Sequence, residues 1–468
     1  MQHGRKHRRG TVRRIVGQHS PNSGSAEKGP STVRVSVIGT GYLGAVHAVG
    51  MAELGHSVVG IDVDEDKVAA LSDGRAPIYE PGLDELLKKH AETGLLRFST
   101  DYAEAADAEV HFICVGTPQR ADGLAADMTF VDLAVDALAP HLAGACLVVG
   151  KSTVPVGTAQ RLANRLTKLA PASSDVELAW NPEFLREGFA VQDTLRPDRL
   201  VFGVTTSDAE VTLRELYADV ITAGSPVVVT DLPTAELVKV SANAFLATKI
   251  SFINAISEIC EVASADVTKL ADALGHDVRI GRKYLNAGLG FGGGCLPKDI
   301  RAFMARAGEL GASHALTFLA EVDAINLRRR ERVAEIARDM IGGQLVGRRV
   351  AVLGAAFKPD SDDVRDSPAL NVAGRLHLQG AHVAVYDPKG MDNAKKIFPT
   401  LEYAPSAMDA CRRADVILHL TEWTEFRELD PARVAAVVND RNLIDARNCL
   451  DAEAWRAAGW TYRGLGRP

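Results

Sequence analysis

Val33-Arg-Val-Ser-Val-Ile38-Gly39-Thr-Gly41-Tyr42-Leu43-Gly44 decides the fold. A β-branched run stops at a glycine cluster, and the stretch from Tyr42 to Leu54 then reads as a helix. In a strand–turn–helix unit of this kind the first glycine makes the tight turn. The second lets backbone approach a pyrophosphate, and the third lets helix pack on strand. The helix N-terminus offers unpaired N–H groups and partial positive charge to phosphates. Asp62 ends the next strand, Ser57–Ile61, at the distance expected of a ribose-binding acid. An acid there accepts from the ribose hydroxyls and repels a 2′-phosphate, so the expected cofactor is NAD.

Outward from this unit, strands are expected at Val110–Val115 and Cys146–Val149, alternating with helices. That rhythm predicts a parallel sheet covered on both faces. From Thr234, read as an N-cap, to about Ala263 the chain has one long helical pattern. Strands return at Arg349–Leu353, His382–Tyr386, Val416–Leu420 and Asn442–Ile444. The fold class expected is therefore α/β, with two doubly wound Rossmann-like domains joined by a helical middle domain. The boundaries read as a basic, disordered tail over 1–31, an NAD-binding domain over 32–232, a helical domain over 233–330 and a second α/β domain over 331–468.

Composition bounds the possibilities. The 468 residues carry a net charge of −7, with 46% hydrophobic and 24% charged residues. That is a globular balance without the basic footprint of a nucleic-acid binder. The tail has the basic run Arg5-Lys-His-Arg-Arg9 but no apolar run after it, as a signal peptide needs. No stretch is apolar and long enough to span a bilayer. Six scattered cysteines form no disulfide framework, which points to a reducing, cytoplasmic setting. No Cys/His cluster has metal-ligand spacing.

One cysteine stands apart. In Gly288-Leu-Gly-Phe-Gly-Gly-Gly-Cys295-Leu-Pro-Lys-Asp299, three glycines in a row make poor helix and poor strand, so a ligand or second backbone is expected close by. Cys295 would need a positive neighbour to react near neutrality, and Lys298 and Lys239 are the candidates. Cys114 and Cys146, inside apolar strands, read as packing residues. Glu183 and Glu187 are four apart; a helical turn would put both on one face, as a reactive pair or as a solvated helix end. Lys239 and Asn243 share a face of the long helix, fit for an alkoxide or phosphate, or facing water.

These segments resemble the UDP-glucose/GDP-mannose dehydrogenase family over about Val33 to Leu450. The resemblance rests on the glycine fingerprint, Lys151-Ser-Thr153-Val-Pro-Val-Gly157, Asn181–Glu187, Ala235–Asn254, the Cys295 segment and Phe357-Lys358-Pro…Asp362-Asp363-Val-Arg365. Asp277-Val-Arg279-Ile-Gly and Leu285–Phe291 look most like the UDP-glucose branch. The family implies oxidation of a nucleotide-sugar C6 alcohol to the acid with two NAD per substrate, UDP-glucose being expected and GDP-mannose or an N-acetylated UDP-sugar the alternatives. It implies Cys295 as nucleophile, Lys239, Asn243 and Asp299 as oxyanion and water groups, and Glu183 and Thr153 as supports of that water. Lys67, Thr117 and Arg365 match cofactor contacts, as do Tyr42, Leu43 and Thr153, and Glu187 falls where the family contacts cofactor or substrate. Phe184, Leu185, Tyr284, Asn286, Gly292 and Lys358 match substrate positions. Arg279 matches an arginine donated to a neighbouring subunit, which implies a homodimer or higher oligomer. Two departures stand out: Gly294 where the family has serine, and Leu296 where it has phenylalanine. In Asp445-Ala-Arg447-Asn448 the residue reaching the nucleotide stays undecided.

Overall fold

The computed structural model describes residues 32–172 and 175–467; the basic tail expected over 1–31 lies outside them. The first sheet has eight strands: β1 Arg34–Ile38, β2 Ser57–Ile61, β3 Leu96–Ser99, β4 Val110–Ile113, β5 Cys146–Gly150, β6 Val176–Trp180, β7 Leu200–Gly203 and β8 Val227–Thr230. Their order is β3-β2-β1-β4-β5-β6-β7-β8. The order reverses between β1 and β4, which opens a crevice at their carboxyl ends beside Gly39. Central strands are buried on both faces, β4 and β5 throughout, as covered parallel strands must be.

The sheet is not wholly parallel. β7 runs antiparallel to β6, joined at the single pair Trp180–Gly203. Residues 181–199 supply the reason. They stay at the carboxyl end of β6, forming a turn and then the short helix Ala190–Leu195 against the fingerprint helix Tyr42–Glu53. The chain never crosses back over the sheet, so the next strand runs the other way.

The helix Leu232–Ala263 has 32 residues and starts one turn earlier than the sequence suggested. Its N-cap is Asp231, whose carboxylate accepts the Thr234 N–H at 2.7 Å, so Thr234 lies in the first turn. Ala244 and Ala247 on this helix pack with Phe291 of the loop before Cys295 and with Ile300, Leu319 and Val322 from the helices Leu296–Glu309 and Thr317–Met340. The Thr317–Met340 helix runs unbroken past residue 330, and Val333, Ala334, Ile336 and Ala337 enter the core of the last domain. That domain holds a six-stranded, all-parallel sheet: β9 Arg349–Leu353, β10 His382–Tyr386, β11 Glu402–Tyr403, β12 Val416–His419, β13 Asn442–Asp445 and β14 Thr461–Gly464, in the order β11-β10-β9-β12-β13-β14. The α/β class with two Rossmann-like sheets and a helical middle is thus the observed fold.

Candidate active site

At the dinucleotide turn, Gly39 has φ +86°, and a side chain on Gly44 would lie 1.8 Å from the Gly39 carbonyl oxygen. A side chain on Gly41 would meet nothing within 4 Å, so the turn faces open space where a pyrophosphate fits. The buried Asp62 accepts from Thr40 N–H at 2.7 Å, from the Thr40 hydroxyl at 3.1 Å and from Lys67 Nζ at 2.9 Å. Its pKa is held below the usual range: burial pushes it up, but Lys67 and the backbone donors outweigh that. Asp62 and Lys67, chosen independently, are therefore one pair. Leu43 packs into the first core beside this turn. Tyr42 donates to Glu80, a buried acid the sequence reading missed. Glu80 also accepts the N–H groups of Gly188 at 2.6 Å and Ala190 at 2.7 Å, binding the fingerprint helix to the turn after Glu187.

Cys295 is the N-cap residue of the helix Leu296–Glu309, with Pro297 in its first turn. It is exposed, whereas Cys114, Cys146, Cys260 and Cys411 are buried and Cys449 half-buried. The three glycines before it are explained by the last domain. A side chain on Gly292 would meet the Asp366 carbonyl at 2.4 Å, one on Gly293 the Phe357 ring at 2.8 Å, and one on Gly294 the Arg365 guanidinium at 2.3 Å. A second backbone does lie close.

Around the thiol, Asp299 is buried and bridges two partners: Asn243 Nδ2 donates to it at 2.6 Å and Lys298 Nζ at 2.5 Å. The Lys239 ammonium lies 5.5 Å from the Phe184 ring centroid, and Arg199 covers the same ring at 3.8 Å. The positive neighbours do not win in the free protein. The crowded walls of the recess and the Asp299 charge raise the Cys295 pKa, against Lys239 and Lys298. Lys298 is spent on Asp299, which is why the expected activation is not met by it.

Glu183 and Glu187 do not share a helical face; residues 181–186 are irregular. Pro182 disfavours helix at Asn181, and Gly188 turns the chain at φ +78°. Glu183 accepts the N–H groups of Phe184 at 2.7 Å and Leu185 at 3.0 Å, and pairs with Lys151 Nζ at 3.0 Å. Lys151 is buried, donates to Asn181 Oδ1 at 2.9 Å, and has a raised pKa: burial lowers it, but Glu183 outweighs that. It is not singled out among the candidates from sequence. A lone lysine directly after the apolar strand β5 was the available signal. Glu187 points the other way, to the last domain: Ser361 donates to its carboxylate at 3.1 Å and Lys358 to its carbonyl at 2.5 Å. Burial, then the charge of Asp363, pushes its carboxyl up to about 7.

Thr117 donates to the Thr153 carbonyl at 2.7 Å, and both line a pocket with Lys298 and Asp299. Other candidate residues lie at the surface. Arg279 is 85% exposed and pairs with Asp277 at 2.6 Å. Tyr284, with φ +65°, and Asn286, bonded to Arg282, are exposed. Within the undecided segment, Arg447 donates to Gly290 O and Phe357 O, both at 3.1 Å, and Asn448 to Ala287 O at 3.1 Å, so both hold the nucleophile loop. Asp445 is buried and pairs with His419 at 2.9 Å. Cys449 joins these two within 4.8 Å, a grouping that sequence spacing did not reveal; donors from Arg447, Leu450 and Tyr462 already fill Asp445.

Sequence models of the UDP-glucose/GDP-mannose dehydrogenase family match all three parts: its NAD binding domain at 33–221, its central domain at 233–328 and its UDP binding domain at 351–452. The chain belongs to this family. A UDP-glucose 6-dehydrogenase of Rhizobium meliloti (strain 1021) is 42% identical over 439 residues, covering 93% of this chain and 100% of that protein. A solved UDP-glucose dehydrogenase of Pyrobaculum islandicum superposes with TM-score 0.87 at 37% identity, over 95% of this chain and 100% of the other. A UDP-D-ManNAc dehydrogenase of Pyrococcus horikoshii gives TM-score 0.82 at 26% identity, over 93% and 99%. Among family members of different substrate, then, the same three-part frame recurs. Substrate choice must lie in side chains around the cleft rather than in the frame.

Proposed function

We propose that the chain oxidises the C6 hydroxymethyl group of UDP-glucose to a carboxylate, as a UDP-glucose 6-dehydrogenase using NAD. The observation that carries this reading is the exposed Cys295 thiol beside Lys239 and the Asn243–Asp299 pair, in a chain 42% identical to a UDP-glucose 6-dehydrogenase. NAD, when bound at the Gly39–Gly44 turn and Asp62, supplies the acceptor for each of two hydrides.

The first oxidation leaves an aldehyde at C6. The Cys295 sulfur adds to that carbon, and the thiohemiacetal keeps it in place for loss of the second hydride. The resulting thioester is cleaved by water, which returns the thiol and releases the acid. Lys239 and Asn243 stand where negative charge develops on the C6 oxygen. Asp299 and Thr153 order the water. Glu183, held by Lys151, is the base for the hydrolysis. Thr117, Lys67, Glu187 and Arg365 serve the cofactor. Phe184, Leu185, Tyr284, Asn286, Gly292 and Lys358 serve the sugar nucleotide.

The functional unit is a homodimer in this reading. Phe245, Phe252 and Ile259 recur every seven residues on the long helix and are 66%, 49% and 62% exposed, a stripe suited to a second copy. Arg279, exposed and paired with Asp277, is then the residue given to the neighbour's substrate.

Measuring NADH per sugar nucleotide tests the proposal: two per UDP-glucose, with GDP-mannose and UDP-N-acetylhexosamines run beside it. One NADH per sugar would defeat the four-electron reading, and turnover confined to another sugar would replace the substrate.

A further inference from the structure

Three of the contacts between the nucleophile segment and the last domain involve Asp363 and Arg365. Gly293 N–H donates to Arg365 O at 2.9 Å, and Gly294 N–H donates to Asp363 Oδ2 at 3.3 Å. The third is steric. Asp363 clasps the Arg365 guanidinium through Nε at 2.9 Å and Nη2 at 2.7 Å, and this places its central carbon 2.3 Å from where a side chain on residue 294 would begin. Nη2 and Nη1 would be 2.5 and 2.6 Å away. Any side chain at 294 would displace the guanidinium. Gly294 does not have the left-handed backbone that Gly293 has at φ +82°, so its lack of a side chain serves this space and not a turn.

We propose that Gly294 is a positioning residue: by carrying no side chain it admits the Asp363-held guanidinium of Arg365 against the peptide before Cys295, giving the thiol a positive charge from the last domain. The inference rests on the reading of Cys295 as the nucleophile. The charged groups facing Cys295 are Lys298 and Asp299 on its own helix, Lys239 from the long helix, Glu187 from the first domain, and Lys358 and Arg365 from the last. Lys298 is tied to Asp299 and Lys358 to Glu187 O. Arg365 is the cation whose place depends on residue 294. Asp363 partly offsets its charge but fixes its position, and a fixed cation favours a neighbouring thiolate.

The test is alkylation of Cys295 by iodoacetamide in the full-length protein without substrate or NAD, followed from pH 6 to 10.5 by mass spectrometry of the Cys295 peptide. Gly294→Ala should slow alkylation about threefold near pH 7.5 while leaving the high-pH plateau unchanged, as half a unit of thiol pKa requires. Arg365→Gln should do the same, and the double variant should be no slower than either single one. A wild-type profile for Gly294→Ala, or effects that multiply in the double variant, would overturn the proposal. Should Gly294→Ala not fold, a wild-type profile for Arg365→Gln overturns it alone. Alkylation needs no turnover, so failure of the wild-type protein to oxidise UDP-glucose, with this alkylation pattern intact, would count against the proposed function and not against the pairing.

Discussion

Two cysteines of one chain make the residue-scale contrast. Cys114 is buried beside Lys151 with its thiol pushed up to about 12 by burial, whereas Cys295 is open to the cleft. Cys295→Ser should therefore fall short of two NADH per UDP-glucose, and Cys114→Ser should keep that stoichiometry; a normal yield from Cys295→Ser would remove the covalent mechanism. Glu187 gives a pH prediction. Its folded pKa, about 7, lies above its ordinary value of 4.5, so the native state holds this proton more tightly. The associated stability is complete at low pH and lost as pH rises through 7, up to about 3 kcal/mol. Urea unfolding from pH 5 to 8.5 should show the wild type losing stability relative to Glu187→Gln across that window; parallel curves would refute it. Which acids matter was only half legible in the sequence. Asp62 followed from a fixed spacing after a glycine turn, a local relation. Glu80 and Lys151 act through partners 30 to 110 residues away, and no local pattern announces such a pairing.

Among the elements, the long helix was legible because thirty residues of helical pattern need no tertiary information. Its start was misread by three residues, since Asp231 and Thr234 are both good caps and only the observed bond decides between them. Asp231→Ala should cost about 1 kcal/mol by chemical denaturation. Strands β3, β7, β8, β11 and β14 escaped notice: they have two to four residues and lie at or beside a sheet edge, whereas the equally short β4, β12 and β13 lie inside their sheets. The Glu183–Glu187 stretch failed as a helix for a nearer reason, Pro182 and Gly188 at its two ends. In the last domain, Asp445 is drawn down to about 2, with burial opposed by His419 and the donors around it. Losing a hydrogen bond to a charged group costs about 1.5–3 kcal/mol, and this carboxylate accepts several. Asp445→Asn should show that loss at pH 7, and the gap from wild type should close as pH falls toward 2, where the carboxylate is protonated.

For the whole molecule, the three-part order α/β, helical, α/β was readable from rhythm alone, while the way the parts meet was not. The first domain touches the last through Glu187, Lys358, Ser361 and Arg365, and Lys389 lies over the Tyr79 ring at 4.3 Å. The long helix leaves its seven-residue stripe uncovered. Phe252→Glu should shift the sedimentation coefficient to that of a monomer if this stripe joins two copies, and an unchanged coefficient would move the interface elsewhere. One consequence concerns synthesis of the chain. The glycine run before Cys295 is held by Phe357, Arg365, Asp366 and Pro368, which leave the ribosome more than sixty residues later. A growing chain has its dinucleotide turn finished while the glycines beside the sulfur still lack these four partners. Reactivity thus arrives last, after the cofactor's half of the site has already folded.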